Sequence, residues 1–419
     1  MSQVNQSKIY DYVKQHGSIL EEYLETLGAF GQLEEGGIIR PVYSPQWLDA
    51  QKQVAEWMNE AGLAVRTDGI GNLWGKLEGT EGGKIFASGS HLDTVKGGGK
   101  YDGGLGILSA LVALRFLKEV YGQPRYSLEV VALCEEEGSR FNKTFLGSRA
   151  ITGTLPVEEL DENVDPAGIS IRQAAIECGF DPSQLEAARR SDLDGFIELH
   201  IEQGRLLDDA KLEVGIVQAI TGTRHLGVTF EGQADHAGTT PMDLRKDALV
   251  AAAHAITRIQ AIPLQMGRPA VATVGKLSLE PGATNIVPAL VHITVDIRHS
   301  DQAKKERLIS EIELACREAA ASQGVTVHIE QHQDRVPAPM TPAIINLLQE
   351  TADELGITNM PMVSGAGHDS QVMVEQIPTG MIFVPSIAGR SHSRAEYTPL
   401  QEILPGVALL AQALYKLAY

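Results

Sequence analysis

The run SLEVVALCEEEG, residues 127–138, couples a strand without polar alternation to three consecutive carboxylates. A strand of that kind is buried on both faces, which calls for a mainly parallel sheet covered by helices. Its surroundings repeat the pattern. KIFASGSHLD (84–93), GFIELHIEQG (195–204) and GMIFVPS (380–386) read as further buried strands, and GGLGILSALVALRFLKEV (103–120) has helical spacing through Ile107, Leu111, Leu114 and Leu117. YSPQWLDAQKQVAEWMNEAGL, from Tyr43, reads as a helix with Ser44 as N-cap, Pro45 in the first turn and Leu48, Val54, Trp57 and Met58 as its buried stripe. LQEILPGVALLAQALYKLAY closes the chain as another helix. From about residue 214 the texture changes: RHLGVTFEGQ, AVATVGKLSLE and ALVHITVDIRH alternate apolar and polar residues, as half-exposed antiparallel strands do, with two helical stretches between and after them. This predicts an α/β domain built from residues 1–214 and 333–419, interrupted at 215–332 by an open-faced α+β sandwich.

With 419 residues, 43% of them hydrophobic, the chain can bury the cores of two domains. A net charge of -19 argues against nucleic acid or an acidic membrane surface as a partner. The start, MSQVNQSKIYDYVKQHGS, lacks a basic-then-apolar targeting pattern, and no run is long and apolar enough for a membrane span. Cys134, Cys178 and Cys316 are scattered and form no CxxC. These features lead us to expect a soluble, cytoplasmic protein.

The stretch GSHLDTVKGGGKYDGGLG, residues 89–106, holds a His, two Asp and a series of glycines. Neither phosphate motif fits it: Tyr101 follows Gly99-Lys100 where a P-loop needs Ser or Thr, and Ser109 stands where a dinucleotide fingerprint needs its third Gly. A metal site remains. Ligands on an α/β sheet belong at the carboxyl ends of strands, and four strand ends carry them here. They are His91 with Asp93 and, after the glycines, Asp102; Glu135-Glu136-Glu137; His200 with Glu202; and His392 in AGRSHSRAE. Residues two apart in a strand point the same way, so the Asp93 carboxylate is placed to hydrogen-bond the far nitrogen of His91. The glycines let the loop bring Asp102 back beside His91, where its two oxygens could bridge two cations. A lone His or an acidic loop is usually neither ligand nor catalyst; the joint pattern carries the reading.

The ordered series HxD, Gly-rich Asp, EEEGSRF, ELHIEQG, DHAGTTP, SGAGHDS and GxSHSxAE, spanning the chain from about residue 36, resembles the zinc-dependent aminoacylase and carboxypeptidase superfamily. It is most similar to the hydantoinase/carbamoylase branch, whose members act on allantoate, N-carbamoyl-L-amino acids, ureidoglycolate or β-ureidopropionate. The resemblance implies a dinuclear catalytic domain with two divalent metal ions per subunit, Zn or Mn, with Co and Ni also suited to the donors. Asp102 would bridge them, His91 and His200 completing one site and Glu137 and His392 the other. Glu136 matches the general base, Glu135 is left as a supporting residue and Asp93 supports His91. The inserted domain would act as lid and dimerisation module. It would contribute His236, an oxyanion donor reaching into the partner subunit of a homodimer.

For the substrate, the resemblance points to Arg298 in VDIRHSD, whose fork suits a carboxylate. Asn285, Gln203 and the backbone N–H groups of Gly365, Ala366 and Gly367 complete the expected set; His368 is a weaker candidate and His225 is left without a role. SGAGHDS, and Arg224 after ITGT, favour allantoate over N-carbamoyl-L-amino acids; ureidoglycolate and β-ureidopropionate are further alternatives. Either way a linear ureido C–N bond of a small ureido acid would be hydrolysed, releasing ammonia and CO2. Two other classes stay open: a dipeptidase or aminoacylase of the same superfamily, and a binding protein that has lost catalysis. His200, characteristic of the carbamoylase branch, weighs against the first, and the complete ligand and base set against the second.

Overall fold

The computed structural model describes the backbone of residues 3–419, and side chains from Lys8 onwards. The chain forms two compact units: one runs to Gln218 and takes in Met340–Met362 and His368–Tyr419, the other comprises Ala219–Pro339 and Val363–Gly367.

In the first unit the strands Thr379–Val384, Gly195–Ile201, Ile85–His91 and Ser127–Leu133 lie side by side in that order, all parallel. Antiparallel strands flank them: Val214–Ile220 beside Thr379–Val384, and Leu73–Leu77 followed by Ala64–Thr67 beyond Ser127–Leu133. The sheet is therefore mixed, which corrects the expectation of a mainly parallel one. Ala64–Thr67 and Leu73–Leu77 are too short to show a period, and VGIVQAI reads equally well as a buried parallel strand.

The helix Gly104–Tyr121 starts directly after the Gly-rich loop and is buried from Gly104 through Leu114. The closing helix Leu400–Ala418 is similarly enclosed, and both belong to one apolar core. Each of Leu111, Leu114 and Leu117 is fully buried, a stabilisation of about 1.5–3 kcal/mol apiece. The helix Pro45–Glu60 has Ser44 as its cap, the hydroxyl accepting from Trp47 N–H at 3.2 Å. Val54, Trp57 and Met58 are buried there, whereas Leu48 is only half-buried and Trp47 takes the core position beside it.

The second unit has its own apolar core. Its antiparallel sheet runs in the order Val271–Glu280, Leu290–His299, Gly222–Glu231, Thr326–Arg335. Val291, Ile293, Val295 and Ile297 are buried against the helices Ala248–Met266 and Gln302–Ser322, and the intervening His292, Thr294, Asp296 and Arg298 occupy the opposite, partly exposed face. The strand Thr326–Arg335 escaped the sequence reading because its ten residues, TVHIEQHQDR, are mostly polar. Among the described residues no helix is long and apolar enough to cross a membrane.

Candidate active site

Four neighbouring parallel strands end at one place, and the chain leaves each through a candidate ligand. His91 ends its strand, His200 lies one residue from the end of the next, Glu136 and Glu137 follow Ser127–Leu133, and His392 follows Thr379–Val384. The Gly-rich loop returns Asp102 among them. Its Oδ1 lies 3.4 Å from His91 Nε2 and 3.2 Å from His200 Nε2, and its Oδ2 lies 3.2 Å from His392 Nε2. Glu137 Oε1 is 3.4 Å from the same His392 nitrogen. The two oxygens of Asp102 thus face two separate donor groups, His91–Asp102–His200 and Asp102–Glu137–His392, each with its ligand atoms within 4.8 Å of one another. The return of the loop depends on Gly103, at φ 66°, where a Cβ would lie 2.4 Å from the His91 carbonyl oxygen and 2.5 Å from its ring.

The chemistry of this donor set fits divalent cations. His91 Nδ1 and His200 Nδ1 each lie 2.9 Å from a backbone carbonyl, of Asp93 and Ile201 respectively. A carbonyl only accepts, so both Nδ1 atoms carry the proton and both Nε2 atoms present lone pairs to the cluster, the tautomer a metal ligand needs. Carboxylate oxygens and imidazole nitrogens without thiolate suit Zn, Mn, Co or Ni.

The Asp93 carboxylate departs from expectation. The Asp93 main-chain carbonyl holds His91, while the carboxylate accepts from the N–H groups of Glu136 and Glu137, both at 3.1 Å. It therefore fixes the acidic loop rather than the imidazole. Glu135, at φ 51°, caps the next turn by accepting from Arg140 and Phe141 N–H at 3.0 Å each, so its side chain is structural. Glu202 likewise accepts from Leu206 and Leu207 N–H, at 2.7 and 2.8 Å, and stays out of the cluster.

Burial first, then Glu137, Asp369 and Asp93, push the Glu136 carboxyl well above the usual range, with His91 opposing. Asp102 goes the other way: burial would raise it, but the rings of His200, His392 and His91 packed against its two oxygens hold it well below. His392 is pushed up to about 10 by its hydrogen bonds to Asp102 and Glu137.

Gln203 was expected at the substrate. Its amide nitrogen instead donates to Asp102 Oδ2 at 2.9 Å, beside Ser391 Oγ at 3.0 Å. Glu396, the last residue of SHSRAE, accepts from Tyr101 and Asp102 N–H at 3.0 and 3.1 Å and so ties the Gly-rich loop to the His392 loop. Its other oxygen accepts from Ser391 Oγ at 3.1 Å. The motif contained Glu396, but nothing in the sequence shows that this carboxylate reaches back to backbone N–H groups 295 and 294 residues away. His368 is buried edge-on to His200, ring centroids 4.5 Å apart.

The remaining candidates belong to the second unit. His236 Nδ1 accepts from Gly238 and Thr239 N–H at 3.0 and 3.2 Å, which leaves Nε2–H as a donor on an exposed ring. Asn285 is its neighbour: Ala237 N–H donates to the Asn285 carbonyl at 2.9 Å, and His236 bridges to Ile286. Arg298 Nη1 donates to the Gly365 carbonyl at 2.6 Å, while Nε and Nη2 donate to the two oxygens of Asp296 at 2.9 and 2.7 Å. In the same loop Ala366 N–H is used internally, donating to Ser364 Oγ at 3.2 Å. Arg224 lies on the opposite sheet face from Arg298: it is buried and donates to Asp334 at 2.7 Å and Glu306 at 3.3 Å. It is a packing residue, so its presence says nothing about substrate.

Residues 80–416 match the family model "Peptidase family M20/M25/M40". The chain is 40% identical over 401 residues to the allantoate amidohydrolase of Bacillus subtilis (strain 168), covering 96% of this chain and 97% of the relative. It is 39% identical over 398 residues to the N-carbamoyl-L-amino-acid amidohydrolase of Paenarthrobacter aurescens, covering 94% and 96%. A crystal structure of a hydantoinase/carbamoylase family amidase from Burkholderia multivorans superposes with a TM-score of 0.90 at 30% identity, covering 96% of this chain and 97% of that one. The chain therefore belongs to peptidase family M20/M25/M40 and, within it, to the hydantoinase/carbamoylase amidohydrolases, enzymes that hydrolyse carbon–nitrogen bonds.

Proposed function

We propose that this chain hydrolyses the terminal C–N bond of a linear ureido acid, with allantoate as the favoured substrate and N-carbamoyl-L-amino acids as the alternative. The observation that carries the chemistry is the division of donors about Asp102, whose two oxygens face separate groups, two imidazoles on one side and an imidazole with a carboxylate on the other, while Glu136 lies buried beside them. Two divalent cations held by His91, Asp102 and His200, and by Asp102, Glu137 and His392, would supply Lewis-acid polarisation and lower the pKa of water.

The chain's own groups do the rest. Glu136, with its proton affinity raised, accepts a proton from the attacking water and delivers it to the departing nitrogen. The C–N bond breaks to release ammonia, and the carbamate left behind loses CO2. His236 Nε2–H is a donor for the oxyanion, and Arg298 pairs with the substrate carboxylate. The SGAGHDS loop favours allantoate; Arg224, packed against Asp334 and Glu306, no longer contributes to that choice.

The second unit, in this reading, serves as lid and as dimerisation module. Arg298 sits near the end of its strand, opposite Thr223, whereas His236 and Asn285 lie beyond the other end, where Leu290 pairs with Glu231. Eight residues of strand between Leu290 and Arg298 amount to roughly 26 Å, too far for one small substrate to touch both groups of one subunit. His236 and Asn285 are therefore assigned to the partner's site. The edge strand Val271–Glu280 is paired on one side only and exposes Val271 and Leu277, a surface suited to pairing with a second copy.

The test is ammonia release from Zn- or Mn-loaded protein, with allantoate and a panel of N-carbamoyl-L-amino acids run in parallel. Turnover of allantoate alone supports the favoured reading; turnover of the carbamoyl amino acids alone reverses the choice of substrate; cleavage of dipeptides with neither ureido class overturns the proposal. Stripping the protein with a chelator should abolish activity and lower the Tm, because a ligand bound only by the folded state adds its binding free energy to stability. Restoring Zn or Mn should recover both, and a stripped enzyme of full activity would refute the metal site.

A further inference from the structure

On the open face of the second unit's sheet, a chain of side chains crosses three neighbouring strands and ends on Arg298. Arg335 and Gln333 come from the strand Thr326–Arg335, His225 from Gly222–Glu231, and Asp296 with Arg298 from Leu290–His299. With the Gln333 amide oriented as its neighbours require, its oxygen accepts from Arg335 Nε at 2.8 Å and Nη2 at 3.2 Å, and its nitrogen donates to His225 Nδ1 at 3.0 Å. His225 Nδ1 is therefore an acceptor, so the proton of the neutral ring sits on Nε2, which points at Asp296 Oδ2 from 3.4 Å. Asp296 in turn takes Nε–H and one Nη2–H of Arg298, and the Gly365 carbonyl takes one Nη1–H.

Two features indicate a built arrangement. The strand Thr326–Arg335 shifts register between Gln331, which pairs with Leu226, and Gln333, which pairs with His225. This bulge absorbs His332 and so sets Gln333 directly across from His225. The second is the hydrogen-bond count on Arg298. Of five guanidinium N–H groups, Asp296 takes two and Gly365 one, leaving two, the number a single carboxylate binds in bidentate fashion.

We infer that Asp296 and His225 are positioning residues that hold the Arg298 fork in the orientation that reads a substrate carboxylate, and so set selectivity for ureido acids over uncharged ureas. The inference rests on the assignment of Arg298 to the substrate carboxylate. The side chains of His225, Asp296 and Arg298 are 41%, 33% and 32% exposed, so the relay meets solvent and needs the bonds, not burial, to stay fixed. Without Asp296 the guanidinium would keep one protein partner and turn freely about it.

The experiment compares a ureido acid that the enzyme turns over with its uncharged carboxamide analogue, in Asp296→Asn, His225→Leu, His225→Gln and Arg298→Met. For the acid, Asp296→Asn should raise KM by about 10–100-fold and His225→Leu by about 3–10-fold, with kcat within about threefold of wild type, the mark of lost uniform binding. His225→Gln keeps an N–H close to the position of Nε2 and should return KM to within about twofold of wild type. None of the three should change the kinetics of the carboxamide. If Arg298→Met raises KM while Asp296→Asn and His225→Leu do not, or if these two depress kcat equally on both substrates, the positioning role is overturned and the Arg298 assignment stands. If Arg298→Met leaves KM unchanged, the assignment itself fails and takes the inference with it. Should Asp296→Asn not fold, the His225 pair, altering an exposed side chain, decides the question.

Discussion

Glu136→Gln is expected to lower kcat by about 10³–10⁴-fold, the upper part of the range for a lost general acid–base, while the metal content stays at the wild-type level. The amide fills the same buried position, and the contact that fixes the loop, Glu136 N–H to Asp93, belongs to the backbone. The ligand atoms of His91, Asp102, His200, Glu137 and His392 are untouched. The measurement is kcat together with metal analysis; retained activity with full metal would remove Glu136 from the mechanism. The same variant tests the partner assignment. His236→Ala alone should also be nearly inactive, through loss of the oxyanion donor, about 10²–10³-fold. Refolded together, the two variants should regain activity: in a mixed dimer one site has intact Glu136 and receives intact His236. Random pairing gives about a quarter of wild-type sites. No recovery in a mixed dimer shown to form would place His236 at its own subunit's site or at none.

Asp102→Asn should have the second large effect, through the metals. Asp102 is the one residue shared by both donor groups, and Gln203 and Ser391 donate to its Oδ2. An amide removes the negative charge that would balance the two cations held there. It also turns an NH2 either toward the first two imidazoles or toward donors that already point at that position. Metal content is expected to fall from two ions to at most one per subunit, with activity down by at least about 10³-fold. Elemental analysis after gel filtration is the check, and a variant retaining two ions per subunit would show that Asp102 does not bridge.

The gathering of candidate donors at the strand ends was legible because its physical basis is local. Buried strands run straight into His91, the 135–137 carboxylates and His200, and a parallel sheet gathers strand ends whatever the rest of the fold does. Where the reading failed, the chemical type of the residue was right and its direction was wrong. Asp93 and Glu202 are carboxylates expected beside the metal ligands, yet both turn to backbone N–H groups; Gln203, expected at the substrate, donates to Asp102. Arg224 and Arg298 are two arginines on paired strands, one buried against the helices' face of the sheet and one on the open face. Strand alternation would have separated them had the register been known.

The sequence by itself determined the family, the α/β character of the first unit, the antiparallel sheet of the second and the donors at the strand ends, because apolar periodicity and strand-end chemistry are written in neighbouring residues. Only the tertiary structure decided which oxygen of Asp102 faces which imidazole, which tautomers His91, His200 and His236 hold, and that Asp296 and His225 stand behind Arg298. Those are matters of angle and register between segments up to hundreds of residues apart. A hydrogen bond fixes them within a few tenths of an ångström, a scale at which composition and spacing carry no information.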